Sequence, residues 1–229
     1  MIYLIPVTLG GEDLLSVIPE KVIVLTASLR HFIVEDLRSA RRYLRLIDKS
    51  FPINDTVFYE LNEHTSDNEI THYLDPVSKG LNMGIMSEAG LPGIADPGSK
   101  IILLAHEKNI TVTPLSGPSS IILALIASGL NGQNFSFNGY LPIKHEERAS
   151  RLRELERSAS KGYAQIFMET PYRSQSMLES IVEACHNETK LCIAADITLT
   201  TEWIRTMKIS EWKRNMPVID HKLVIFVLQ

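Results

Sequence analysis

Short apolar runs alternate with stretches of helical spacing along almost the whole chain. Ile2–Pro6, His31–Glu35, Thr56–Leu61, Met83–Ser87 and Ile110–Leu115 have the length and β-rich composition of strands in the first half. Between them, Pro19–Ala27, Ser39–Ile47 and Ser99–Lys108 have helical periodicity. In Ser39–Ile47, Ala40, Tyr43, Leu44 and Ile47 form an apolar face, with Arg41, Arg42 and Arg45 on the others. Ser66 with Glu69 three residues on is a capping box and predicts a helix to about Lys79. Ile121–Ser128 reads as an almost wholly apolar helix. The second half repeats the alternation more loosely. Strands are expected near Phe135–Tyr140, Ala164–Glu169, Leu191–Ala195 and Leu223–Leu228, and helices at Arg148–Ser158 and Ser174–Cys185. Such alternation predicts an α/β protein with mostly parallel sheets and helices on their faces. The Gly/Asn break at 129–133 lies near the middle, and the expected division is into α/β domains 1–116 and 117–229.

Composition narrows the class. The 229 residues are 45% hydrophobic and 22% charged, as in an ordinary globular protein, so disorder and coiled-coil architectures are excluded. A net charge of −4 excludes a generally basic nucleic-acid coat, but not local patches. Two cysteines, Cys185 and Cys192, supply neither a disulfide framework nor a zinc site, and read as reduced thiols of a cytoplasmic protein. No run is long enough to cross a membrane, and the amino terminus lacks the basic start of a signal peptide.

Two loops have candidate chemistry. Ser87–Gly98 is dense in glycine and proline at the carboxyl end of a strand, where open α/β sheets bind ligands. Its glycines permit close backbone approach, and its amides can face an anion. Asp96 with Pro97 also reads as the cap and first residue of the next helix. The second loop, Leu115–Ser120, opens an apolar helix at which Ser119 and Ser120 can cap the amino terminus or hold an anion. Other motifs fail. Ser99-Lys100 reverses the order a P-loop needs, Gly10-Gly11 is no dinucleotide fingerprint, and the histidines lack metal-ligand spacing.

Several further segments fall into one pattern. Ile2–Pro6 is a first strand ending in proline. Glu35-Asp36-Leu37-Arg38 resembles an E-D-T-R segment, and Ser87–Gly98 resembles S-D-A-G-x-P-x-x-x-D-P-G. Pro118-Ser119-Ser120 through Ser128-Gly129-Leu130 matches a P-G-P-S entry and S-G-L exit. Phe137–Pro142 resembles F-x-G-F-L-P, and Glu169–Arg173 resembles E-x-P-x-R. In this order the segments resemble the tetrapyrrole-methylase-type S-adenosylmethionine-dependent methyltransferases. The similarity is greatest to the branch that methylates a cytidine ribose in small-subunit ribosomal RNA. The chain departs from that branch at Leu9–Asp13, at Leu37 and Glu88, and at Ala195–Leu199, where the basic ends of an R-E-L-T-K motif are absent.

The resemblance implies two α/β domains with a cofactor cleft between them, a homodimer, S-adenosylmethionine as cofactor and no metal. It implies cofactor contacts at Pro6, Ser87, Glu88, Ala89, Gly90, Leu91, Ile94, Asp96, Ser119, Ser120, Met168 and Ile197. The methionine carboxylate would lie on the amides of 89–91, its ammonium near Ser87 or Asp96, and the adenosine near Met168 and Ile197. A ribose hydroxyl needs a base, and Glu35 and Asp36 are the first candidates, followed by Glu88 and Glu169. An RNA or ribosomal-subunit partner would meet the arginine helix (Arg38, Arg41, Arg42, Arg45) or the basic stretch from Lys144 to Lys161, which includes Arg148, Arg151, Arg153 and Arg157. The glutamates interleaved with that stretch equally describe a solvated, self-paired helix face. A tetrapyrrole-like small molecule as acceptor, or a non-catalytic cofactor-binding dimer, are the alternatives.

Overall fold

A computed structural model describes residues 1–62 and 64–229. The chain forms two compact units, Met1–Ser119 and Ser120–Gln229.

In the first unit, β1 (Ile2–Leu4), β2 (His31–Val34), β3 (Val57–Glu60), β4 (Met83–Met86) and β5 (Val112–Pro114) form one parallel sheet in the order β3-β2-β4-β1-β5. The central strands are buried on both faces. Phe32 and Val34 join Ile5, Val22 and Leu44 on one side, while Ile33 joins Ile2, Ile85 and Ile101 on the other. Continuous apolar runs, rather than alternating ones, follow from this double coverage. The covering helices are α1 (Glu20–Ser28), α2 (Leu37–Ile47), α3 (Asp67–His72), α4 (Asp75–Ser78) and α5 (Gly98–Glu107). The Ser66–Glu69 capping box is present at α3. The single helix expected from there to Lys79 is instead broken into α3 and α4. Pro76, near the start of α4, has no N–H to donate back into the last turn of α3.

In the second unit, β6 (Phe135–Tyr140), β7 (Ala164–Glu169), β8 (Lys190–Ala195), β9 (Trp203–Lys208) and β10 (Val224–Leu228) form a sheet ordered β6-β7-β10-β8-β9. Its helices are α6 (Ser120–Ser128), α7 (His145–Ala159), α8 (Ser174–Ala184) and α9 (Ile209–Arg214). The expectation of mostly parallel pairing fails here. Only β6 and β7 pair in parallel, and β10 runs antiparallel to both β7 and β8. The helical crossover from β7 through α8 does return to a strand of the same direction, β8. The last strand then inserts between the two. Its five residues are all buried, so it needs neighbours on both edges and cover on both faces. Strand β9 and helix α9 were not anticipated. β9 mixes exposed Arg205 with half-buried Trp203 and Met207 at the sheet edge, which gives no clear periodicity.

Candidate active site

Two loops meet beyond the carboxyl ends of the first sheet. Because β1 and β4 are neighbours, the segments that follow them run side by side, and Val7 and Gly90 exchange two backbone hydrogen bonds. Val7 N–H donates at 2.8 Å and Gly90 N–H at 3.1 Å. Gly90 has φ +72°, a conformation that side chains disfavour, and a Cβ there would lie 3.3 Å from Leu9 Cδ2 and 3.6 Å from the Pro118 carbonyl. The amide of Gly90 is therefore taken. The N–H groups on either side, of Ala89 and Leu91, have no partner among the described residues. Pro6 is buried beneath this strap. Its carbonyl accepts the Tyr43 hydroxyl at 2.8 Å, and a Cβ on Gly117 would collide with its ring.

Asp96 organises the rest of the loop. Its carboxylate accepts the Gly93 N–H at 2.8 and 3.0 Å and the Gly98 N–H at 2.7 Å. This folds the loop back on the start of α5 and holds Ala95 at φ +59°. Desolvation pushes the Asp96 carboxyl above its ordinary range, partly offset by the Gly98, Gly93 and Ile94 amides. Asp96 thus caps the helix approach through Gly98, not as the N-cap residue itself, which is Pro97.

Glu35 reaches the same place from β2. Its Oε2 accepts the Glu88 N–H at 3.2 Å, and its Oε1 has no partner among the described residues. Desolvation raises its pKa, outweighing the Glu88 hydrogen bond, and the charges of Asp96, Glu88 and Asp36 act in the same direction as burial. Glu35, Ser87, Met86, Asp96 and Gly98 line a shallow, solvent-open pocket. It has two partly buried carboxylates and an apolar floor of Ile33, Ile85 and Met86.

The other expected site residues divide. Ser87 Oγ donates to the Ala89 carbonyl at 3.1 Å, shaping the loop from within. Glu88 and Ile94 are exposed at the rim. Asp36 is the N-cap of α2. It accepts the Ser39 N–H at 2.7 Å, and this bond holds its pKa below the usual carboxylate value, which makes it a weaker base than Glu35. Ser119 ends the first unit, and Ser120 begins α6 in the second. Both are half-buried. In the second unit Met168 is half-buried on β7. Ile197 is 6% exposed, leaving mainly its backbone to contact anything, and sits between Asp196 and Thr198 at φ +53° and +70°. Glu169 has no exposed side-chain surface. Its Oε1 is bound by Arg173 Nη2 at 2.6 Å and the Thr170 N–H at 2.7 Å, while its Oε2 is buried with no partner among the described residues.

Sequence reasoning missed Tyr43, Val7 and Lys222. Tyr43 was read as core, and only the fold shows its hydroxyl on Pro6. Lys222 Nζ lies 2.5 Å from Asp196 Oδ2, and Thr201 adds a bond at 2.9 Å. Burial raises the Asp196 pKa, and these partners with the Leu223 N–H reverse the shift to a net lowering. The motif that lacks basic residues at 195 and 199 therefore has a cation supplied from the segment before β10.

The basic segments are mostly solvated or self-paired. Arg38, Arg41, Arg42 and Arg45 are exposed, with Arg41 over the Phe58 ring at 5.5 Å. At the N-cap of α7 Lys144 pairs with Glu147, and on the helix Arg151 pairs with Glu154, while Arg148 is buried rather than on the exposed face. Among the described residues, no group of three or more His, Cys, Asp or Glu could hold a metal. No helix among the described residues is long and apolar enough to cross a membrane.

A parallel sheet with a strapped, glycine-rich loop at its carboxyl end, followed by a mixed sheet, is the architecture of a two-unit α/β protein with a ligand loop on its first sheet. The chain belongs to the tetrapyrrole (corrin/porphyrin) methylases, whose family model matches residues 1–213. Its relatives include the ribosomal RNA small subunit methyltransferase I of Vibrio cholerae serotype O1, 30% identical over 211 residues, covering 92% of this chain and 69% of that one. The protein of the same name from Escherichia coli O157:H7 is 29% identical over 210 residues, covering 92% and 70%. The crystal structure of the methyltransferase CobJ superposes with a TM-score of 0.62 at 19% identity, covering 99% of this chain and 92% of CobJ, which shows a shared fold. The chain is accordingly a methyltransferase.

Proposed function

We propose that the methyl donor is S-adenosylmethionine and that the acceptor is RNA, with a ribose hydroxyl of small-subunit ribosomal RNA as the first candidate. The observation that carries the donor is the pair of unpartnered N–H groups, Ala89 and Leu91, flanking strapped Gly90 beside the carboxylates of Glu35 and Asp96. Amides suit a methionine carboxylate, and carboxylates suit an ammonium and a sulfonium. The residues present therefore fit the group. When bound, it supplies a methyl on a sulfonium for in-line displacement.

The chain's own groups orient and deprotonate. Asp96 holds the loop in one conformation, so the amides are placed before any ligand arrives. Glu35, with its Oε2 held by the Glu88 N–H and its pKa raised by burial, has Oε1 available to accept a hydroxyl proton. The RNA acceptor draws support from the names of the relatives. This reading also includes a homodimer and a cytoplasmic location, and sedimentation velocity tests the dimer.

Calorimetric titration of S-adenosylmethionine into the purified chain tests the donor. Saturable micromolar binding, abolished in Gly90→Trp, is expected. No binding at millimolar ligand would sink the reading. Transfer of labelled methyl to unmodified small ribosomal subunits tests the acceptor. Transfer only to a tetrapyrrole would replace RNA with a small molecule.

A further inference from the structure

We propose that Arg148 and the first turn of α8 form a phosphate-binding site. Arg148 is only 5% exposed, yet it has no ion pair with any carboxylate among the described residues. Its Nη2 donates to Ser176 Oγ at 3.2 Å, and its Nε is buried with no partner. A largely buried cation whose one side-chain partner is a neutral hydroxyl, and one of whose N–H groups is orphaned, is short of an anion. Neighbouring cations are not in this position: Lys144 has Glu147, Arg151 has Glu154, and Arg173 has Glu169.

The guanidinium is aimed at a place that also wants negative charge. Ser176 is the third residue of α8, an eleven-residue helix that continues directly from a 3-10 turn at Pro171–Arg173 and whose N-cap makes no side-chain cap. The first-turn N–H groups of a helix point along its axis and form its positive end. The other polar side chains of this turn are engaged. Ser174 Oγ lies within donating distance of both the Ile219 carbonyl, at 2.7 Å, and the Pro171 carbonyl, at 2.9 Å, and Gln175 Oε1 accepts the Ile219 N–H. Ser176 is exposed and opens this corner to solvent. A guanidinium, a hydroxyl and helix amides offered from different directions suit the several oxygens of a phosphate. Because β6 and β7 are parallel, α7 and α8 both start beyond their carboxyl ends, the side from which α/β sheets engage ligands. On the RNA reading above, on which this source rests, the phosphate is a backbone phosphodiester of the acceptor.

The full chain is titrated with inorganic phosphate, followed by thermal unfolding and ³¹P line broadening, with chloride at matched ionic strength as control. Saturable stabilisation by phosphate is expected, lost in Arg148→Gln. Ser176→Asp covers the case in which that variant fails to fold, because it places a carboxylate beside the guanidinium. It should unfold at a higher temperature without phosphate and no longer respond to it. No phosphate response in wild type, or an undiminished one in Ser176→Asp, would overturn the site. A second arm uses a short oligoribonucleotide. Ser176→Asp should weaken its binding several-fold with S-adenosylmethionine affinity unchanged. If wild type binds phosphate but no RNA, the phosphodiester source and the RNA reading fall while the anion site stands. If RNA binds both forms equally, the phosphodiester assignment alone is overturned.

Discussion

Glu35 Oε2 accepts the Glu88 backbone N–H at 3.2 Å, which joins the end of β2 to the loop after β4 across fifty-three positions of sequence. The bond points one oxygen at the loop and leaves the other without a partner among the described residues. It also brings Glu35 next to Asp96 and Glu88, where burial and like charge both favour its protonated form.

Glu35→Gln should therefore separate stability from activity. A carboxyl whose folded pKa is raised contributes stability that is fully present below its unfolded pKa, about 4.3, and lost as pH rises through the folded value. At neutral pH the ionised group weakens the fold. The amide keeps an oxygen for the Glu88 N–H without the charge. Melting at pH 7 should rise by about 1–2 °C, with no gain below about pH 4, while methyl transfer falls at least about tenfold. Unchanged turnover would remove Glu35 from the chemistry.

Asp96→Asn should loosen the loop without unfolding the unit. Asparagine has one acceptor oxygen where the carboxylate serves two amides, of Gly93 and Gly98. Amide exchange at those two glycines should speed up, and S-adenosylmethionine affinity should fall about tenfold, with global melting within about 2 °C of wild type.

Gly90→Ala and Gly80→Ala form a matched pair. Both glycines have positive φ, +72° and +84°, so each substitution should cost about 1 kcal/mol of strain, read as similar losses in melting temperature. Only Gly90 lies in the strap, where its Cβ approaches Leu9, whereas nothing lies within 4 Å at Gly80. Cofactor binding should therefore drop in Gly90→Ala alone.

Arg173→Ala removes the partner of a carboxylate with no exposed surface. An uncompensated buried charge costs about 3–5 kcal/mol, so melting should fall by about 6–20 °C. The double variant Arg173→Ala/Glu169→Gln should recover part of that loss, because no buried charge remains. Equal melting of single and double variants would show that the pair is not coupled.

Local signals in the sequence read true. The strands Phe135–Tyr140 and Ala164–Glu169 and the Ser66–Glu69 capping box follow from patterns spanning a few residues. The loop at Ser87–Gly98 was legible for the same reason, since glycine and proline mark where backbone must turn or be approached closely. Pairing was not legible in this way. β10 is an apolar run whose sequence reads equally well as a parallel strand, and only its insertion between β7 and β8 makes it antiparallel.

The sequence by itself determined the α/β class, the glycine-rich loop and the family pattern, because each rests on residue types at short, fixed spacing. Tertiary structure decided what the side chains do. Glu35 and Asp36 are adjacent in sequence, yet one lines a pocket and the other caps a helix. Arg148 and Arg151 lie on one basic stretch, yet one is buried without a counter-charge and the other is paired at the surface. Burial and partnership depend on which distant segments pack together, and hydrogen bonds such as Val7 with Gly90 or Glu35 with Glu88 exist only once strands far apart in the chain have become neighbours in a sheet.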